Sequence, residues 1–118
     1  IKLGNISMKW GQPESDAWGS AIKCRYVEDI EVAGFTGKHA GSQGNYPTII
    51  FDNIKKAFIH GCRAPEGTVN YLELSGETTS DINMESNDLS ESKCPVKVQD
   101  NIKDELVRWA ELFNSQAK

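Results

Sequence analysis

The chain has 118 residues, a length typical of one domain of ordinary size. Its composition, 38% apolar and 25% charged residues, argues against a disordered chain and against a membrane-spanning one. The net charge of -4 argues against general nucleic-acid binding, which needs a basic surface. Residues 1–63 contain eight Lys/Arg and six acids (+2), whereas residues 64–118 contain five and eleven (-6). The sequence therefore allows one electropositive face, although an acidic loop beside an ordinary surface would give the same totals.

Apolar and polar residues alternate in seven short segments, which is typical of half-buried β-strands. The predicted strands cover residues 5–10, 20–26, 30–35, 48–51, 56–60, 69–74 and 94–98. Turn-forming residues at 11–19 and glycines at 34–45 predict loops between strands. Residues 75–93 are polar and acidic, and we predict a long acidic loop there. We find no internal sequence repeat.

The end of the chain has the periodicity of a helix rather than of a strand. The apolar residues that recur at the spacing of one helix face are Ile102, Leu106, Trp109 and Phe113. Asp104 lies in the first turn, where the helix dipole favours an acid. We predict an amphipathic C-terminal helix over residues 101–116. Residues 1–118 would then form a single α+β domain, mostly β.

The order of seven strands and one helix resembles the pleckstrin-homology (PH) domain and its superfold. Residues 96–109 resemble the last strand, capping turn and helix of that family, with Trp109 at the position of its characteristic tryptophan. Lys9, followed by Lys23-x-Arg25 and two hydrophobic residues, is similar to the lipid-binding pattern of the family. The resemblance implies a bent, seven-stranded antiparallel sandwich or partial barrel that is capped by the C-terminal helix.

Lys9, Lys23 and Arg25 form the predicted site for a lipid headgroup. Residues two apart on a strand point to the same side, so Lys23 and Arg25 would project together. A hairpin would place the strand of Lys9 beside them. Arginine offers a planar pair of donors and lysine a compact charge, and both suit phosphate oxygens. The residues predicted to extend this patch are Lys38, Lys55 and Lys56.

The resemblance implies a signalling module that is not an enzyme and that attaches to the cytosolic face of a membrane. The expected ligands are acidic lipid headgroups, either a phosphoinositide or a simpler lipid such as phosphatidate or phosphatidylserine. The loop at 11–19 contains no basic residue, whereas strong phosphoinositide binders of the family add cations there. Trp18 in this loop is predicted to lie at the membrane interface or else to pack back on the sheet.

Two other functions are compatible with the same residues. A protein-interaction module of the same fold would bind its partner through a sheet edge or through the acidic loop. A secreted β-sandwich would use Trp10 and Trp18 as a platform for a sugar. Vesicle binding and the oxidation state of the cysteines would separate these possibilities.

Three cysteines, Cys24, Cys62 and Cys94, make a poor disulfide framework and favour a reducing, cytoplasmic location. We predict no metal site, because a zinc site needs four ligands and only His60 and Cys62 are close in sequence. His39 and His60 are not accompanied by a nucleophile motif. The sequence therefore predicts neither a cofactor nor catalysis.

Overall fold

A computed structural model describes residues 1–9, 19–40, 46–99 and 107–108. The described residues contain nine β-strands and no helix. In chain order the strands are β1 (Lys2–Gly4), β2 (Ile22–Val27), β3 (Ile30–Ala33), β4 (Pro47–Ile54), β5 (Ala57–His60), β6 (Asn70–Ser75), β7 (Ile82–Glu85), β8 (Cys94–Val98) and β9 (Val107–Arg108). Every strand pairing is parallel.

Odd-numbered and even-numbered strands form separate sheets. The five-stranded sheet has the order β1-β3-β5-β7-β9, and the four-stranded sheet has the order β2-β4-β6-β8. The chain therefore adds one strand to each sheet in turn. A third side is marked by isolated parallel bridges that join Ser7, Thr36, Arg63 and Asp88 in succession. We call it the bridge side. This winding is a parallel β-solenoid of about three turns.

A residue in the left-handed backbone region follows each of β1, β3, β5 and β7. The residues at this first corner are Asn5 (φ 53°), Gly34 (φ 68°), Gly61 (φ 64°) and Ser86 (φ 55°). A left-handed residue turns the chain sharply, and glycine and asparagine occupy that region at the lowest cost. The bridge side begins two residues after each of them. The corner therefore repeats in every coil, although the residue type does not.

A second corner connects β2 to β3, β4 to β5 and β6 to β7. It comprises residues 26–29, 53–56 and 76–81. Each of these turns also begins with a left-handed residue, namely Tyr26 (φ 55°), Asn53 (φ 58°) and Gly76 (φ 95°). The register places Tyr26 beside Asn53, because their chain neighbours pair Arg25 with Asp52 and Val27 with Ile54.

The core is a stack of apolar side chains along the solenoid axis. One row in the four-stranded sheet contains Ile22, Ile49, Leu72 and Val96, and a second contains Cys24, Phe51, Leu74 and Val98. A row in the five-stranded sheet contains Leu3, Val32, Ile59 and Met84. The middle members of these rows are fully buried, whereas the first members, at the N-terminal end, are partly exposed. Burial of these rows is the main force that holds successive coils together.

This architecture shows that the predicted PH-like fold is wrong. A PH domain needs antiparallel strands joined by hairpins, but here each strand pairs with the strand two places along the chain. Lys9 is therefore not on a hairpin partner of the strand that carries Lys23. The predicted helix at 101–116 is also contradicted. Its described part, Val107–Arg108, is strand β9 paired with β7, and Trp109 lies outside the described residues.

The predicted acidic loop at 75–93 contains regular structure. Residues 82–85 form β7, in which Ile82 and Met84 point into the core. Leu89 is also buried, on the bridge side. The three apolar residues of this segment anchor a complete coil, and its acids lie in the turns and on the surface.

Candidate functional site

The structure separates the six predicted lipid-binding cations into three pairs on three sides of the solenoid. Lys23 and Arg25 lie on the outer face of the four-stranded sheet, where both are exposed. Lys55 and Lys56 lie at the second corner, and Lys9 and Lys38 on the bridge side. No single pocket can therefore use all six.

Lys23 and Arg25 project from the same face of β2, as their spacing predicts. Arg25 donates a hydrogen bond from Nε to Oδ2 of Asp52 on β4, at 3.0 Å. The row through Lys23 continues with Ile50, Glu73 and Lys97 on the next three strands. Lys97 is an exposed cation of this face that the sequence did not indicate.

Lys55 and Lys56 are placed between acids of the neighbouring coils. The preceding turn contains Glu28 and Asp29, and the following turn contains Glu77 and Asp81. The Lys55 ammonium lies 3.9 Å from a carboxylate oxygen of Glu28. The backbone of Lys56 accepts a hydrogen bond from Ile30, which follows Asp29. This alternation favours the observed stacking of the coils and weakens the second corner as an anion site.

Lys9 and Lys38 occupy equivalent positions in successive coils. Each follows a bridged residue by two positions, after Ser7 and Thr36 respectively. Met8 and Gly37, the residues just before these lysines, are also neighbours. A Cβ atom on Gly37 would lie 3.3 Å from Cβ of Met8. The next bridged residue is Arg63, which is exposed. Lys9, Lys38 and Arg63 therefore lie on the first three coils of the bridge side.

The second corner contains a half-open cavity of about 300 Å³. It is lined by Tyr26, Val27, Glu28, Asn53, Lys55 and Thr78, which come from three successive coils. The side chain of Tyr26 is the most exposed large hydrophobic group in the described residues, at 75%. The lining thus combines an aromatic ring with one carboxylate, one ammonium group, an amide and a hydroxyl.

A hydrogen-bond network fixes the polar groups of this cavity along the solenoid axis. Oδ1 of Asn53 accepts hydrogen bonds from the backbone N–H and the hydroxyl of Thr78, at 3.2 and 2.9 Å. Nδ2 of Asn53 donates to Oδ1 of Asp52 at 3.1 Å. The other oxygen of Asp52 is held by Arg25. The chain of contacts therefore extends from the first coil to the third.

In the hydrogen bonds of the described residues, neither histidine ring contacts a serine, threonine or cysteine side chain. His39 is buried, and its Nδ1 lies 3.1 Å from the carbonyl oxygen of Ala40. Nε2 of His60 lies 2.7 Å from Oε2 of Glu31 on the outer face of the five-stranded sheet. Because a carboxylate only accepts, His60 carries a hydrogen on Nε2. The hydrogen bond from His60 is the main reason that the pKa of Glu31 is lowered.

The cysteines are free thiols in the structure. Cys62 is buried beneath the bridge side, accepts a hydrogen bond from the Phe35 backbone and lies beside Tyr71. Burial raises the pKa of the Cys62 thiol and also that of the Tyr71 phenol. Burial likewise raises the pKa of Cys24. Thiols with raised pKa values are poor nucleophiles, which makes Cys24 and Cys62 poor candidates for a reactive cysteine.

Within the described residues, no group of three or more His, Cys, Asp or Glu side chains is arranged to hold a metal ion. The same residues include no helix that is long and apolar enough to cross a membrane. Trp18, the predicted membrane-interface residue, lies outside the described residues, as does Trp10. The predicted role of Trp18 therefore stays a prediction.

No protein-family model matches the sequence, and no curated protein or solved structure is significantly similar to it. Sequence reasoning missed the cavity at the second corner, because its lining comes from turns about 25 residues apart (Glu28, Lys55 and Thr78, for example). The one local signal was Tyr26, a large residue two positions before Glu28.

Proposed function

We propose that the chain is a non-enzymatic binding module that attaches to acidic lipid surfaces. The observation that supports this proposal best is the outer face of the four-stranded sheet, where Lys23, Arg25 and Lys97 are exposed around Ile50. A regular sheet face presents its side chains together, so these cations would meet a charged surface simultaneously.

The spacing of these cations favours a lipid surface over one polyphosphate headgroup. Lys23 and Lys97 are three strand spacings apart, or about 14 Å between their backbones. Arg25 is already held by Asp52. Phosphatidylserine or phosphatidate, which carry their charge across the membrane surface, fit this arrangement better than a phosphoinositide headgroup that needs convergent donors. The proposed location is the cytosolic face of a membrane, where such lipids are concentrated.

Such attraction is reversible and depends on salt. Each Lys or Arg close to an anionic membrane contributes about 1 kcal/mol, and surface charges are screened over about 10 Å at 0.1 M ionic strength. Three cations of this face therefore support attachment at low salt that weakens as salt is added. The acids Asp52 and Glu73 on the same face reduce the net attraction.

Sedimentation with phosphatidylcholine vesicles, with and without phosphatidylserine or phosphatidate, tests the proposal at two salt concentrations. The variant Lys23→Glu/Lys97→Glu should lose most of its binding to the anionic vesicles. The matched control is Lys55→Glu/Lys56→Glu, which makes the same charge change at the second corner and should retain most of the binding. Equal binding by the wild type and Lys23→Glu/Lys97→Glu, or a larger loss in the control, would overturn the assignment of this face.

A protein-interaction module is a second candidate, and the N-terminal end of the solenoid favours it. Within the described residues, β1 and β2 each have one edge that pairs with no other strand. An exposed edge offers backbone hydrogen bonds to an added strand. Failure to bind any anionic vesicle at low salt, together with saturable binding of an extended peptide that proline substitution in the peptide abolishes, would favour this candidate.

A further inference from the structure

Tyr26 has an unfavourable backbone conformation. Its φ is 55°, which is a rare value for a bulky residue. The equivalent residues in the next two coils are Asn53 and Gly76, which adopt the left-handed conformation more easily. Tyr26 is also 75% exposed, so burial of its ring does not compensate for this cost. The corner needs this conformation in every coil but does not need a tyrosine in it, and a bulky residue held in a strained conformation points to a function of its side chain. Tyr26 therefore indicates a binding role at this corner.

The cavity beside Tyr26 has no net charge. Lys55 and Glu28 are 3.9 Å apart and oppose each other, so a phosphate or another anion would gain from one and be repelled by the other. An entirely apolar ligand would cover polar groups of the cavity without forming a hydrogen bond to any of them. The cavity is consequently best suited to a neutral ligand that offers both hydrogen-bond donors and acceptors.

The groups around the cavity also define the shape of that ligand. Lys55 can donate, Glu28 can accept, and the Thr78 hydroxyl keeps free lone pairs after it donates to Asn53. The ring of Tyr26 and the side chain of Val27 supply an apolar surface on the same cavity. At about 300 Å³ the cavity lies at the lower end of the size range of small-molecule sites. A pyranose ring, with an apolar C–H face and vicinal hydroxyls at its rim, has these properties.

We propose that the cavity at the second corner binds a neutral saccharide, with the sugar ring against Tyr26 and its hydroxyls at Lys55, Glu28 and Thr78. The Asp52–Asn53–Thr78 hydrogen bonds hold the Thr78 hydroxyl in place before the ligand arrives. Such preorganisation lowers the entropic cost of binding. This site is separate from the face proposed for lipids, and neither proposal depends on the other.

The test is two-dimensional ¹H–¹⁵N NMR of the full chain titrated with maltose, cellobiose and N,N′-diacetylchitobiose at millimolar concentrations. At least one disaccharide should shift the amide signals of residues 26–28, 53–55 and 77–79 in a saturable manner. Tyr26→Asn, which removes the ring and keeps a residue that accepts the left-handed conformation, should weaken this binding at least tenfold. Phe58→Asn, which removes an exposed aromatic ring from the five-stranded sheet, should leave it unchanged.

Two results would overturn the inference. The first is the absence of saturable shifts with all three sugars, and the second is unchanged affinity in Tyr26→Asn. If the first result came together with loss of vesicle binding in Tyr26→Asn, the ring would be identified as a membrane anchor. The lipid proposal fails on a different result, namely equal vesicle binding by the wild type and Lys23→Glu/Lys97→Glu.

Discussion

Gly76 lies so close to Asn53 in the preceding coil that a Cβ atom on Gly76 would be 2.6 Å from the Asn53 backbone nitrogen. Its φ of 95° is also one that residues with a side chain rarely adopt. Gly76→Ala should therefore lower the free energy of unfolding by at least about 2 kcal/mol, through both steric overlap and backbone strain. Urea denaturation followed by circular dichroism measures this loss.

Gly4→Ala is the matched control, since nothing lies within 4 Å of a Cβ atom built on Gly4. It should change the free energy of unfolding by no more than about 0.5 kcal/mol. If both variants were equally stable, the close contact between the second and third turns of this corner would be refuted.

Tyr26 should be destabilising where it stands. Replacement by asparagine, which tolerates a φ of 55°, should raise the free energy of unfolding by about 1 kcal/mol. Replacement by valine should lower it, because β-branched residues are the least tolerant of the left-handed region. Thermal melts of both variants beside the wild type measure these opposite shifts, and a lower melting temperature for Tyr26→Asn would contradict the argument.

The side chain of Asn87 forms hydrogen bonds with backbone groups of the preceding coil inside the solenoid. Its Oδ1 accepts a hydrogen bond from the backbone N–H of Cys62 at 2.9 Å, and its Nδ2 donates to the carbonyl of Ile59 at 3.0 Å. The side chain is buried, so Asn87→Ala leaves two buried backbone groups without partners. The expected loss is about 2–4 kcal/mol in the free energy of unfolding. Asn83→Ala, at a half-buried position on β7, should cost much less in the same urea titration.

The sequence predicted where most strands lie but not how they pair. Alternation at residues 20–26, 56–60 and 94–98 marks real strands, because alternation reports which side of a strand is buried. It does not report the neighbour of that strand. The short turns at residues 28–29 and 55–56 fit a hairpin as well as a solenoid corner, so turn length does not separate the two. The resemblance to the PH family implies antiparallel pairing, and the parallel pairing of the strands shows that this implication is wrong.

The solenoid repeat was hidden because its length changes from coil to coil. Along one row the residues Leu3, Val32, Ile59 and Met84 are separated by 29, 27 and 25 positions, so no fixed period exists. The repeated first corner uses two glycines, an asparagine and a serine, which share a backbone conformation and not a side chain. For the same reason the cavity at the second corner could not be predicted, since its members meet only when the coils stack in this register.

Cys62 should react with a thiol reagent more slowly than the other two cysteines. Cys62 is buried and its pKa is raised mainly by desolvation, so its thiolate is both scarce and inaccessible. Cys24 also has a raised pKa for this reason but is only half-buried. Labelling with iodoacetamide at pH 8, followed by peptide mass spectrometry, should therefore modify Cys62 last. In denaturant the three rates should become similar, and fast labelling of Cys62 in the folded protein would contradict its position in the core.

The Glu31–His60 pair should make stability depend on pH below the ordinary pKa of a glutamate. The hydrogen bond from His60 is the largest cause of the lowered pKa of Glu31, and the charges of His60 and Lys2 lower it further. A carboxyl group with a lowered pKa in the folded state binds protons more readily in the unfolded state. Its contribution to stability is therefore present above the ordinary value of 4.5 and is lost as the pH falls toward its folded pKa.

Glu31→Gln removes this titration while the side chain keeps its size. The difference in urea midpoint between the wild type and Glu31→Gln should be larger at pH 5 than at about pH 3, where the wild-type carboxyl group approaches protonation. Glu66→Gln, at an exposed turn position, is the control and should show a smaller change over the same range. The contrary result would be a difference in urea midpoint between the wild type and Glu31→Gln that grew toward low pH. It would mean that folding raises the pKa of Glu31, because only a group with a raised pKa adds stability as the pH falls.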